Sequence, residues 1–167
     1  MSFEEDNASS KVQLHSRRLG REFAMQFLFQ NDLAKDEVKP EVLDKFFEDT
    51  PANFDIPENR NFRKGKEYAI QLINGIIEHQ RSIDKTLKEF SQKWEIDRMS
   101  IVDRNIMRVG IYEMLFIADV PPIVSINEAV GIARDYSGEA SGNFINGILN
   151  GLKDTLKRPA RDAAQEL

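Results

Sequence analysis

Cysteine is absent from the 167 residues, so neither a disulfide nor a thiolate metal site can be built. That fits a reducing compartment, and a cytoplasmic location is expected. No apolar run approaches the roughly 20 residues of a membrane-spanning helix, so no membrane association is expected. The opening MSFEEDNASS lacks the basic start and apolar stretch of a secretory signal and is read as none. An excess of positive charge is also missing. There are 23 Lys and Arg against 28 Asp and Glu, for a net charge of −5, which argues against indiscriminate nucleic-acid binding. The two histidines, His15 and His79, have no second histidine four residues away, so a helical zinc pair is excluded. No stretch alternates as a strand, and neither a Walker A nor a GxGxxG pattern occurs. Glu113 and Glu128 sit in amphipathic helical patterns rather than beside a nucleophile. With no catalytic constellation, the chain is expected to be no enzyme and to need no metal or cofactor.

What remains is helical. The hydrophobic share of 41% and charged share of 31% are those of a globular chain. The expected organisation is a disordered acidic and basic arm over residues 1–15, a single all-helical domain over 16–157, and a frayed tail over 158–167. A first helix from about Ser16, as its N-cap, to Leu33 places Leu19, Gly20, Phe23, Ala24 and Phe27 on one face. Gly20 costs about 1 kcal/mol of helix propensity, which implies close approach of another helix. Pro40–Phe47 is a shorter helix, Thr50–Asn61 a loop, and Phe62–Gln80 a long helix burying Tyr68, Ala69, Leu72, Ile73 and Ile76. Ile83, Leu87 and Phe90 continue it or form a separate helix. Trp94 is expected to plug a junction between helical layers. Ser100 caps a helix ending before Pro121-Pro122, Ser125 and Glu128 form a capping box, Ser137-Gly138 breaks the chain, and Gly142–Leu156 is the last helix. Asn74-Gly75 and Asn146-Gly147 are each expected to let two helices approach closely.

The polar residues are distributed unevenly. From Lys11 to Arg21 there are four bases and no acid, and Arg17, Arg18 and Arg21 fall on one side beside the apolar stripe. A second cluster is Arg60, Arg63, Lys64 and Lys66. Either is a solvated face or a track for phosphates. Tyr136, Ser141, Asn143 and Phe144 gather at a glycine-containing helix junction. They are core aromatics with a cap, or an edge on which bases stack and hydrogen-bond.

Four segments, RRLGREFAMQ (17–26), DRNIMRVGIYE (103–113), PPIVSINEAVGIA (121–133) and FINGIL (144–149), in this order and at these separations, resemble the NusB family of bacterial transcription antitermination factors. The likeness covers about Ser16 to Leu156. It implies an all-α fold of about seven helices in two small packed bundles sharing a long helix. It also implies a non-enzymatic factor that binds boxA-type single-stranded RNA with a small-subunit ribosomal protein, NusE. Such a factor promotes read-through by an RNA polymerase antitermination complex, chiefly on ribosomal RNA operons. Carried over by residue, the RNA contacts are Arg17, Arg18, Arg21, Tyr136, Ser141 and Phe144, and the protein-partner contacts are Phe29 and Asp103. Of these, the arginines, Tyr136 and Phe144 are expected to line one groove for unpaired nucleotides. Phe29 stands where many members have Tyr, and Ala140 where many have Asp. A protein-interaction scaffold with little RNA specificity is the alternative. The fold also fronts certain ribosomal RNA methyltransferases, but this chain is too short for their catalytic domain. An apolar helix face meets a copy of itself as readily as a partner, so a homodimer stays open.

Overall fold

Apolar residues at helical spacing form seven α-helices among the described residues of this computed structural model. The structure describes residues 3–35, 37–92 and 94–159, with side chains from His15 onward. The helices are α1 (Phe3–Ala34), α2 (Pro40–Asn53), α3 (Arg60–Glu78), α4 (Gln80–Phe90), α5 (Ile101–Phe116), α6 (Pro122–Ser137) and α7 (Glu139–Thr155), with a 3₁₀ turn at Ile96–Arg98. No strand is present among the described residues. The chain divides into two compact units, Met1–Ile73 and Asn74–Leu167, and α3 runs through the boundary.

In the first unit, Phe23 packs edge-on against Phe47, Phe54 and Phe62, and Phe27 packs likewise against Phe46. Each such ring pair adds about 0.5–1.5 kcal/mol beyond its buried area. Gly20 behaves as its cost implied. A Cβ there would stand 2.8 Å from the Gly65 carbonyl oxygen, and one on Gly65 would stand 3.2 Å from that of Ser16. The two glycines therefore let the backbones of α1 and α3 touch.

The second unit is built around α5, which is buried on every side from Asn105 to Met114, the pattern of a central helix. Ser100 caps it, its hydroxyl accepting from the Asp103 N–H at 3.0 Å. Arg108 forms a two-pronged pair with Asp84 of α4, at 2.8 and 3.0 Å, and also donates to Asn105 at 3.0 Å. Gly75 is packed so tightly that a Cβ would collide with the Tyr112 hydroxyl. Gly147 has nothing within 4 Å, so only the first Asn-Gly pair serves close approach. At the far end of α5, the Arg158 guanidinium donates to the carbonyls of Met114, Ile117, Ala118 and Val120. These are groups a helix end and its following turn leave without intrahelical partners.

Several boundaries differ from expectation for identifiable reasons. The stretch expected to be a disordered arm is helical in its backbone from Phe3. It lacks an apolar stripe, but it also lacks Pro and Gly and contains good helix formers. Ser16 is thus a buried residue inside α1 rather than a cap. Helix α2 runs to Asn53 and carries Pro51 inside, where the Thr50 hydroxyl donates to the Phe46 carbonyl at 2.6 Å. His79 separates α3 from α4, which settles the open choice in favour of a distinct helix. The Ser125–Glu128 capping box does not form. Pro122 starts α6 a turn earlier, where a fixed φ suits the first helical position, and Ser125 is buried. Gly138, at φ +98°, ends α6 as expected, and α7 begins directly after it at Glu139. Arg158 is anchored, although it opens the expected frayed tail. Residues 160–167, Met1 and Ser2 lie outside the described residues.

Candidate nucleic-acid interface

The expected RNA-binding residues fall in both units. In the first, the contact of α1 with α3 brings the ring of Tyr68 beneath two guanidinium groups. The Cζ atoms of Arg17 and Arg21 lie 5.2 and 5.7 Å from its centroid, within range of cation–π attraction. Arg17 and Arg18 are half-buried, and Arg18 Nε lies 3.8 Å from Glu22 Oε1 one turn on. Arg21 is only 3% exposed. The expectation of three side-by-side surface arginines is therefore reduced to two. Arg21 is covered where α1 meets α3, its guanidinium lying over the Tyr68 ring. The second basic cluster opens α3. Arg60, Arg63 and Lys64 are exposed, while the Lys66 ammonium sits 5.5 Å from the Phe47 ring centroid.

In the second unit, the candidate edge surrounds the Gly138 turn. Tyr136 ends α6 with 40% of its surface exposed. Arg134 crosses the turn to Glu139 at 3.1 Å, and its alkyl stem lies against Gly142. Ser141 on the first turn of α7 donates its hydroxyl to Asp103 Oδ2 at 3.1 Å. Asp103 is 8% exposed, and its Oδ1 has no hydrogen-bond partner among the described residues. This residue, expected at a protein-partner interface, is thus an internal acceptor that holds α7 to α5. Its neighbours explain this: Ser100 caps the helix so early that Asp103 lies in the buried first turn. Phe29, the other expected partner contact, is half-buried on α1.

Phe144 is half-buried and stands edge-on to Trp94, with centroids 6.0 Å apart and planes at 72°. Trp94 does not plug a junction. It is 57% exposed, on a turn that follows Gln92 at φ +57°. The sequence showed its size but not which way the loop would turn it.

Residues 18–154 match the NusB family. The chain belongs to the NusB family. The Transcription antitermination protein NusB of Acetivibrio thermocellus is 41% identical over 133 residues, covering 80% of this chain and 85% of that protein. Among solved structures, T. maritima NusB is 35% identical with a TM-score of 0.70, covering 86% of this chain and 92% of that one. A chain from a crystal structure of the antitermination factors NusB and NusE in complex with dsRNA is 25% identical with a TM-score of 0.68, covering 84% and 98%. The all-helical NusB fold expected from the four sequence segments is the fold observed. Those segments occupy α1, α5, α6 and α7.

Proposed function

We propose that this chain is a non-enzymatic, RNA-binding transcription antitermination factor of the cytoplasm. It takes boxA-type single-stranded RNA together with the small-subunit ribosomal protein NusE. It thereby promotes read-through by an RNA polymerase antitermination complex, chiefly on ribosomal RNA operons. The observation that carries this reading is the likeness to a NusB chain crystallised with NusE and double-stranded RNA, joined to family membership over most of the chain. The residues supply the chemistry. Arg17 and Arg18 are accessible enough to meet phosphates, and Tyr68 restricts the swing of the Arg17 guanidinium. Arg21 shares that ring and supports the pair from within. Tyr136 and Phe144 offer ring faces for unpaired bases. Ser141, held by Asp103, fixes the start of α7 between them. Phe29 is the side chain offered to the protein partner.

The test is a fluorescence-anisotropy titration with labelled boxA-type RNA, single-stranded and double-stranded, with and without NusE. Wild-type protein binds the single strand, and more tightly with NusE, because two modest RNA surfaces then share one ligand. Replacing Arg17 and Arg18 with Ala weakens binding and flattens its dependence on log[salt] by about 0.7 for each phosphate no longer neutralised. Unchanged affinity and slope would refute the assignment. Preference for the duplex would move the ligand to double-stranded RNA. The burial of Arg21 and the net charge of −5 favour a scaffold as the second reading. NusE binding that persists without any RNA affinity would select it.

A further inference from the structure

We propose that Trp94 and Phe144 form the two walls of a subsite for one unpaired nucleobase, with Gln92 and Asn143 reading its edge. This deepens the RNA-binding reading and rests on it. The cleft lies wholly within the second unit, an open depression of about 450 Å³ between the end of α4, the turn after it, and one side of α7. That volume is within the ~300–1,000 Å³ typical of small-ligand clefts.

Four features point to a planar heteroaromatic occupant. The two rings stand at 72° to one another, with centroids 6.0 Å apart, rather than stacked face to face. Trp94 is the chain's only tryptophan and the most exposed of its described aromatic rings, at 57%. An indole left that wet forgoes a large share of the free energy its burial would give. Just before it, Gln92 takes φ +57°, a left-handed conformation uncommon for a residue other than glycine. Ser91 holds that turn closed by donating to the Trp94 carbonyl at 3.1 Å.

Gly147 also lines the cleft, and with no side chain it leaves open space beside Phe144. Gln92 and Asn143 are exposed at its rim. Their amides each carry a donor and an acceptor, the complement that a base edge presents. An apolar peptide would need ring faces alone, whereas a base uses both the faces and the amides. Phe144 belongs equally to the α7 edge that begins at Ser141, so the cleft continues the surface already assigned to RNA.

The lone tryptophan makes the test direct. Full-length protein is titrated with a single-stranded boxA-type RNA, following both the anisotropy of labelled RNA and the intrinsic emission of Trp94. We expect emission to be quenched in step with binding. Trp94→Ala should weaken binding about 5- to 150-fold, the range that ~1–3 kcal/mol per stacked base converts to. Trp94→Phe should recover most of the loss, and Asn143→Ala should change base preference more than overall affinity. Trp94 is exposed, so its removal should leave the thermal unfolding midpoint unchanged, and a circular dichroism melt checks this.

RNA binding that is weakened by Arg17→Ala but leaves Trp94 emission and the affinity of Trp94→Ala unaltered would overturn the subsite while sparing the RNA-binding reading. Absence of RNA binding by wild-type protein, alone and with NusE, would remove both. A shift in sedimentation on Trp94→Ala without a change in RNA affinity would overturn it in favour of contact between copies of the chain.

Discussion

The paired side chains inside the second unit allow a prediction whose sign depends on which partner is removed. Arg108 has a side chain 7% exposed and grips Asp84, whose side chain is 24% exposed, through two hydrogen bonds of 2.8 and 3.0 Å. If Asp84 is replaced by Ala, the guanidinium remains buried and loses its carboxylate. It keeps its charge, as an arginine side chain does throughout the working pH range. Removing one partner of a buried pair in this way costs about 3–5 kcal/mol. If Arg108 is replaced by Met, the stem volume stays and the charge disappears. The carboxylate left behind lies near enough to the surface to be rehydrated, so the cost falls to about 1–2 kcal/mol. The double variant should lie close to Arg108→Met alone, because the two side chains act as one pair and the buried charge is already gone. Urea unfolding followed by Trp94 emission is the appropriate assay, since Trp94 lies in the same unit as the pair. With a slope of about 1–3 kcal/mol per molar urea, the Asp84→Ala midpoint should fall by at least about 1 M, clearly more than that of Arg108→Met. Equal losses, or a larger loss from Arg108→Met, would refute the reasoning that burial asymmetry sets the cost.

Other expectations follow from close packing and ionisation. Gly75→Ala should destabilise by about 1–3 kcal/mol because the new Cβ collides with Tyr112, and pairing it with Tyr112→Phe should recover part of this in a thermal melt. Gly138→Ala should cost about 1–2 kcal/mol although its surroundings are open, because φ +98° is strained for any residue with a Cβ. Burial, and secondarily the charge of Glu78, raises the Tyr112 pKa above 10.0. The folded state therefore favours the neutral phenol. That contribution is complete below pH 10 and declines as pH rises through the elevated value, so Tyr112→Phe should flatten alkaline destabilisation in pH-stepped melts.

The sequence disclosed most where one residue type had a single physical use. Gly20 made sense only as a helix contact, and Gly65 meets it. Gly138 made sense only as a break, and it adopts a positive φ. The α3 stripe from Tyr68 to Ile76 is buried as its spacing required. Residues with two uses were harder to read. Ser125 matched a cap pattern, but Pro122 starts the helix earlier. Arg21 and Arg17 have the same chemistry, and only the width of the α1–α3 contact decides that one is buried. Asp103 was legible as a first-turn acid but not as the acceptor for Ser141, a contact across 38 positions. Trp94 was misread because side-chain volume says nothing about the direction of a turn.

Arg158 sets a lower limit on how far this protein can be trimmed. The stretch that matches the family ends at residue 154, and a version cut there would look complete by sequence comparison. It would nevertheless lack the cation that gathers four backbone oxygens where α5 gives way to α6. A shortened chain intended for crystallisation or tagging should therefore keep at least Pro159, or the turn between α5 and α6 will loosen.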